Sequence, residues 1–386
     1  MANQRVIAIN LDKGGHYVPV PAHSGSSDFD VGAILSKAKY PERLLKGFDD
    51  IPMATLESYL NDSRIINLGL RLTNVCNYDC IYCGTAENRG KDTDRVLTTQ
   101  EYKDLISQAA DLGVRTIIFG ANGEPTLTYD VLELFEHVGR LGITPVTFSN
   151  ISVIGHDVLC QRRHGIDGVE FAQRLDEAGT TLIISVESLQ RERYDHIMGV
   201  KSFDYFELAV ERIRKFTSLT HERSYEGHPL CRVAVSAVMM PINYDERHDL
   251  LAFARSMNGL AILKPPSLHG SAATNAAQMF TPEQVKTIRP EVERLSDKQA
   301  TLQILTLACA SWTLGLNIDN EGNFMACMTE EVNPFGSGVN TRNTRLKDLL
   351  AKRNELVKLR NTICPVKDKF YKRTTSDPTE ETAHEH

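Results

Sequence analysis

Six short apolar runs rich in β-favouring residues recur between residues 66 and 264, each separated from the next by helical stretches or loops. They are INLGLRL at 66–72, RTIIF at 115–119, TPVTFS at 144–149, TLIISV at 181–186, RVAVSAVM at 232–239 and LAILK at 260–264. Segments such as TQEYKDLISQAADLG, which starts at Thr99, carry the 3.6-residue apolar period of a helix between them. Strands alternating with helices indicate parallel β/α units with right-handed crossovers. Six units suit a partial (β/α)6 barrel of the α/β class better than a closed eight-stranded one, and they put the working residues at the carboxyl ends of the strands.

A chain of 386 residues has room for two or three units. Residues 1–62 read as an N-terminal extension, with a Gly/His/Ser/Pro-rich stretch from Gly14 to Ser27 and a helical pattern near Val31 to Leu45. The partial barrel occupies 63–299. Insertions at 151–170 and 218–231 interrupt its rhythm, and KPPSLHGSAATN after the sixth run reads as a loop. A small α+β unit fills 300–370: a hairpin formed by TLGLNID, the turn Asn320 to Gly322 and NFMAC, then a helix whose charged residues from Arg345 to Arg360 form a solvated face. Residues 371–386 are polar and acidic, the composition of a disordered tail.

Apolar residues at 41 % and charged residues at 24 % are ordinary for a globular protein. A net charge of −7 disfavours nucleic acid and anionic lipid as partners. No stretch reaches the roughly 20 apolar residues that span a bilayer, and the start lacks the pattern of a secretory signal. The expectation is a cytoplasmic enzyme with a small-molecule substrate and no membrane association. In a reducing compartment clustered cysteines serve as metal ligands or catalytic thiols more often than as disulfides. Of the eight here, Cys76, Cys80 and Cys83 fall together, Cys309, Cys327 and Cys364 lie in the last quarter, and Cys160 and Cys231 stand alone.

Cys76, Cys80 and Cys83 follow the first strand directly. Three thiolates on one short loop can hold three irons of a [4Fe-4S] cube and leave the fourth iron without a protein ligand. The competing ligand set is zinc, which also uses CxxC but needs a fourth ligand and usually a second close pair.

CxxxCxxC after the first strand of a partial barrel, with Tyr82 just before the last Cys, resembles the radical S-adenosylmethionine (SAM) superfamily. The resemblance extends over about residues 65–270. Gly120-Ala121-Asn122-Gly123-Glu124-Pro125 after the second strand is similar to the family's GGEP motif, which meets the methionine amino group, with Asn122 in place of its first Gly. Ser149-Asn150 is similar to the family's Thr-Asn-Gly. Ser185-Val186-Glu187-Ser188 with the segment from Tyr194 to Gly199 resembles the ribose-contacting stretch, and Asn243 matches a further recurrent position. The resemblance implies a [4Fe-4S] cluster on Cys76, Cys80 and Cys83 and cofactor contacts from Tyr82, Asn122, Gly123, Glu124, Pro125, Ser149, Asn150, Ser185, Glu187 and Asn243. It also implies S-adenosyl-L-methionine as cofactor, and cleavage of its sulfonium to a 5′-deoxyadenosyl radical that abstracts hydrogen from an unactivated C–H bond. Any one of these residues could equally shape a turn or satisfy a core hydrogen bond; their fall at successive strand ends argues for a site.

Cys309, seventeen residues, then Cys327, with the hairpin, the helix and Cys364 following, looks like the start of a SPASM or twitch domain, and the cysteine count fits the one-cluster twitch form. This resemblance implies an auxiliary iron-sulfur cluster, read as [4Fe-4S], on Cys309, Cys327 and Cys364. Lys367 stands where a second Cys of the last pair is expected, so the fourth ligand is open among Asp368, Cys231, water or substrate; the alternative is three ordinary buried thiols.

Cys160, in the first insertion, is a candidate hydrogen donor to a substrate radical, against its reading as a loop side chain. Cys231 reads as a core thiol. Lys264 and His269 could meet a polar or anionic substrate. The leading functional expectation is hydrogen abstraction from a sugar, aminocyclitol or nucleotide-like molecule, ending in dehydrogenation, epimerisation or rearrangement, with flavodoxin or ferredoxin as reductant. The alternatives are a peptide- or protein-modifying maturase and a non-catalytic iron-sulfur or zinc scaffold.

Overall fold

Each of the six apolar runs forms a strand. In the computed structural model these are β1 (Asn67–Leu70), β2 (Thr116–Phe119), β3 (Thr144–Ser149), β4 (Thr181–Ser185), β5 (Val233–Val238) and β6 (Leu260–Lys264). The residues the structure describes are 59, 62, 64–90, 92–120, 122–217, 231–266, 270–296, 314–325, 328 and 339–359, with short strand segments at 9–11, 17–19, 43–44, 224–225 and 228–230. Neighbouring strands pair in parallel from β1 through β6. The sheet is open, as a partial barrel requires: among the described residues β6 has one strand neighbour and does not return to β1.

The strands are buried along nearly their whole length, which is why they read as continuous apolar runs and not as alternating ones. Helices cover the outer face: α1 (Thr99–Asp111), α2 (Val131–Arg140), α3 (Ser152–Gly155), α4 (Asp157–His164), α5 (Gly168–Glu177), α6 (Arg191–Met198), α7 (Phe203–Thr217) and α8 (Arg247–Ser256). α1 starts on a capping box, in which Thr98 accepts from the Glu101 N–H and Glu101 returns the bond to Thr98. Its buried stripe of Tyr102, Leu105, Ile106 and Ala109 has the spacing of one helix face.

The structure differs from the sequence reading in three places. The insertion at 151–170 is helical, forming α3, α4 and the start of α5. The stretch after β6 also contains a helical turn, α9 (Ser271–Thr274), before α10 (Pro282–Leu295). Third, the charged run in α11 (Leu346–Leu359) is not a purely solvated face: Arg353 is buried. It lies two turns from Leu346 and one from Leu349, so the helical period carries it to the same inward side, and burial pushes its guanidinium down to about 10.

The C-terminal hairpin forms as β7 (Gly315–Ile318) and β8 (Phe324–Met325). β7 pairs in parallel with β1, from Gly315 opposite Asn67 to Ile318 opposite Leu70. The sheet therefore runs in the order β6-β5-β4-β3-β2-β1-β7-β8. No helix among the described residues is long and apolar enough to cross a membrane.

Candidate active site at the carboxyl ends of the strands

The loop leaving β1 carries Cys76, Cys80 and Cys83, each partly buried. Its backbone is docked on the C-terminus of α6, where the N–H groups of Asp79 and Ile81 donate to the carbonyls of Met198 and Ile197, both at 3.0 Å. Helix C-terminal carbonyls have no partner within the helix, and here the cysteine loop supplies them. Cys80 Sγ lies 3.7 Å from Met198 Sδ, Cys83 Sγ lies 3.6 Å from Thr85 Oγ1, and Asn150 Nδ2 points at Cys76 Sγ at 3.9 Å. From the other side, Ser271 and Asn275 bond the carbonyls of Cys83 and Ile81. Arg89 pairs with Asp79, and its positive charge also faces Cys83 and Cys76.

Burial pushes the Cys76 thiol up to about 11 and Cys80 well above its ordinary value, with Glu124 and the neighbouring thiols adding to the effect. Three thiolates here need a compensating positive charge, which iron supplies. Among the described residues no three His, Cys, Asp or Glu side chains converge on a point fit for one metal ion. A cube that takes one thiolate per iron does not require such convergence, so the donor set fits a [4Fe-4S] cluster with one iron left open.

The turn after β2 hangs on this loop. The Glu124 N–H donates to Val75 O at 2.8 Å, and Gly123 sits at φ +59° with no space for a Cβ. The buried Glu124 carboxylate accepts four hydrogen bonds: Oε1 from Thr126 Oγ1, the Thr126 N–H and Ser149 Oγ, and Oε2 from the Asn150 N–H. It thus ties the exit of β2 to the exit of β3. Asn150 in turn donates to Asn77 and accepts from Ser152. The next residue, Ile151, is left-handed at φ +55°, where the family pattern has Gly.

A second knot joins the exits of β4 and β5. The Tyr82 hydroxyl donates to Glu187, whose other carboxylate oxygen accepts the Val238 N–H at 2.6 Å. Glu187 is buried, and desolvation raises its carboxyl to about 7. Asn243, with no exposed surface, donates to Glu187 O and Val238 O and accepts from the Met240 N–H. Around Ile81 and Tyr82 the side chains of Ile197, Val238, Met240, Ala272 and Met279 build an apolar wall.

The structure thus brings together Tyr82, Asn122, Gly123, Glu124, Ser149, Asn150, Glu187 and Asn243 around the cysteine loop, with Pro125 opening the helical turn after Glu124. Ser185 ends β4, paired in register with Ser236. Lys264 ends β6 and its charge acts on Glu187. Cys160 packs instead in the hydrophobic core under α4, with no exposed surface and its thiol pushed up to about 12. Cys231 is a core thiol facing the Val233 and Asn258 carbonyls. Cys309, Cys327, Cys364, Asp368 and His269 lie outside the described residues. Sequence reasoning missed Asn74 and Asp92 and read Met198 only as part of the ribose-contacting stretch and Asn320 only as a turn residue; all four support the cysteine loop, and Asn320 is 246 residues from its partner Asn74.

Residues 70–254 match the model of the radical SAM superfamily. Among curated proteins the chain is similar to a probable GTP 3′,8-cyclase of Pyrococcus horikoshii, 28 % identical over 198 residues, 51 % of this chain and 54 % of that one. A probable GTP 3′,8-cyclase of Methanothermobacter thermautotrophicus is 25 % identical over 249 residues, 62 % of this chain and 70 % of that one. The chain spans about half the length of several curated relatives it matches. Among solved structures, Streptococcus suis SuiB bound to S-adenosylmethionine is similar with a TM-score of 0.54 and 15 % identity, covering 77 % of this chain and 68 % of SuiB; this likeness shows the fold.

Proposed function

We propose that this chain, which carries a radical SAM domain over residues 70–254, is a radical SAM enzyme acting on a nucleotide-like small molecule. The observation that carries the reading is the gathering, at the exits of β1 to β5, of a three-thiol loop with the Glu124–Asn150 and Tyr82–Glu187–Asn243 knots. Cys76, Cys80 and Cys83 would hold the cluster, and the exits of β2 to β5 would hold S-adenosylmethionine. The chemistry supplied by the bound cofactors is one-electron cleavage of S-adenosylmethionine to a 5′-deoxyadenosyl radical and hydrogen abstraction from the substrate.

The residues of this chain do the positioning. Glu124 holds the exits of β2 and β3 at a fixed separation. Glu187 and Asn243 do the same for β4 and β5, beside the apolar wall around Tyr82. The similarity to GTP 3′,8-cyclases favours a purine nucleotide and a rearrangement outcome over simple oxidation or epimerisation. The auxiliary cluster on Cys309, Cys327 and Cys364 and a flavodoxin- or ferredoxin-like reductant belong to the same proposal. The likeness to SuiB, at 15 % identity, lends nothing to a peptide-modifying reading.

The test is anaerobic reconstitution of the wild type beside a variant with Cys76, Cys80 and Cys83 all changed to Ala. The expected result is about eight irons against about four, with 5′-deoxyadenosine from the wild type alone and deuterium passing into it from labelled GTP. Intact S-adenosylmethionine in a wild type that holds its iron would overturn the reading.

A further inference from the structure

The cysteine loop closes on itself at Arg89. Past Cys83 the chain makes a short helical turn (Ala86–Asn88), to which the Arg89 N–H bonds, and returns to the exit of β1, where the Gly90 N–H donates to Asn74 O at 2.9 Å. Asp92 clamps the return. Its Oδ2 accepts the Thr73 hydroxyl at 2.5 Å, and its Oδ1 accepts the Asn74 N–H at 2.7 Å and Asn320 Nδ2 at 2.9 Å. The Arg89 backbone is thus tied on both sides. Its guanidinium pairs with the carboxylate of Asp79, the residue just before Cys80.

The guanidinium reaches beyond its partner acid. It faces Cys83 as a hydrogen-bond donor, and its charge acts on Cys76 and Cys80 as well. A guanidinium stays charged at any working pH, so this is a fixed positive charge. Other groups around the loop are negative: the buried Glu124 acts on Cys76, the buried Glu187 acts on Cys80, and the carbonyl end of α6 lies under Asp79 and Ile81. Asp79 cancels only part of the Arg89 charge, because its side chain is 76 % exposed against 18 % for Arg89, and water screens the acid more strongly.

We infer that Arg89 tunes the cluster on Cys76, Cys80 and Cys83: its fixed charge stabilises the one-electron-reduced form and so raises the reduction potential. This rests on the radical SAM reading above. The reduction takes one electron from the flavodoxin- or ferredoxin-like donor, makes and breaks no bond, and leaves one more negative charge beside the guanidinium. Cluster potentials follow net charge and hydrogen bonds to the sulfurs. Arg89 supplies a charge to all three thiols and a donor to one.

The experiment is a redox titration followed by electron paramagnetic resonance on full-length, anaerobically reconstituted wild type, Arg89→Gln, Arg89→Lys and Asp79→Asn. The loop cluster is the signal absent from the variant with Cys76, Cys80 and Cys83 all changed to Ala. Arg89→Gln should make one-electron reduction about tenfold less favourable, a midpoint about 59 mV lower. Asp79→Asn should raise the midpoint by less, and Arg89→Lys should stay close to wild type. The opposite signs are diagnostic: Arg89→Gln and Asp79→Asn break the same ion pair, so a role confined to holding the loop together would move both in one direction. An unchanged midpoint in Arg89→Gln, or shifts of one sign in the two variants, overturns the inference. If Arg89→Gln takes up no iron, Asp79→Asn decides, and a midpoint that does not rise there overturns it. Opposite shifts in a protein whose wild type leaves S-adenosylmethionine intact would sink the functional reading and leave the role of Arg89 standing. A wild type without the loop signal would end both.

Discussion

Gly123 offers a sharp test of how the turn after β2 is built on the cysteine loop. At φ +59° a Cβ would stand 2.6 Å from Thr73 O, 2.6 Å from Val75 O and 3.0 Å from the Asn74 carbonyl carbon. The left-handed backbone alone costs an L-residue about 1 to 2 kcal/mol. The contacts are with main-chain atoms, which cannot swing away as a flexible side chain can, and overpacking of this kind adds about 1 to 3 kcal/mol. Gly123→Ala should therefore lose about 2 to 5 kcal/mol in a urea titration. Gly142 is the control: its φ is +71°, and nothing lies within 4 Å of where its Cβ would be. Gly142→Ala should show the backbone cost alone, about 1 to 2 kcal/mol, so the difference between the variants isolates the clash. Thr73 to Val75 lead straight into Cys76, so Gly123→Ala should also retain less iron after reconstitution. If Gly123→Ala is no more destabilised than Gly142→Ala, the close packing of the two loops is wrong.

Asn243→Ala strips a buried side chain that bonds two carbonyls and one N–H; at about 1 to 3 kcal/mol for each orphaned group, chemical denaturation should show a loss of about 3 kcal/mol or more, and a loss under about 1 kcal/mol would contradict that role. Arg342 holds the Glu101 carboxyl down to about 2. A depressed carboxyl stabilises above its unfolded value near 4.5 and loses that contribution as pH falls toward 2. Stability of Glu101→Gln relative to wild type should accordingly be lower at pH 7, by about 0.2 to 1 kcal/mol for this half-exposed pair, since Gln keeps the capping box, and the gap should close on acidification; a gap independent of pH would remove the ion pair from the account. Cys160→Ser should cost about 1 to 3 kcal/mol by placing a hydroxyl in the core, while 5′-deoxyadenosine formation stays at the wild-type level. Intact stability with altered product would instead return the thiol to the chemistry.

Much of this was legible in order along the chain. Each barrel strand was visible as an apolar run because parallel strands covered on both faces carry no polar alternation, and the turn Asn320 to Gly322 announced the hairpin. The cysteine spacing and the polar residues at strand ends were local patterns, and the fold set them side by side. Arg353 was misread because charge was weighed above helical period, and Cys160, read as a loop side chain in the 151–170 insertion, lies on a helix. Asn74 and Asp92 carried no signal, and Asn320 was legible only as a turn residue, since their shared contacts join segments more than two hundred residues apart.

The sequence by itself determined the open parallel sheet, the position of a thiol-rich loop at the exit of β1, and the chemical class of the groups arrayed around it. Those follow from periodicity and from covalent spacing, which act over a few residues. Only the tertiary structure decided that Glu124 is held by the exit of β3, that Glu187 is shared between Tyr82 and Val238, and that β7 lies beside β1. It alone brings the hairpin turn to the cysteine loop and bonds Asn320 to Asp92. A hydrogen bond's direction depends on which donor its neighbour has left to give, and that is settled only when distant segments meet.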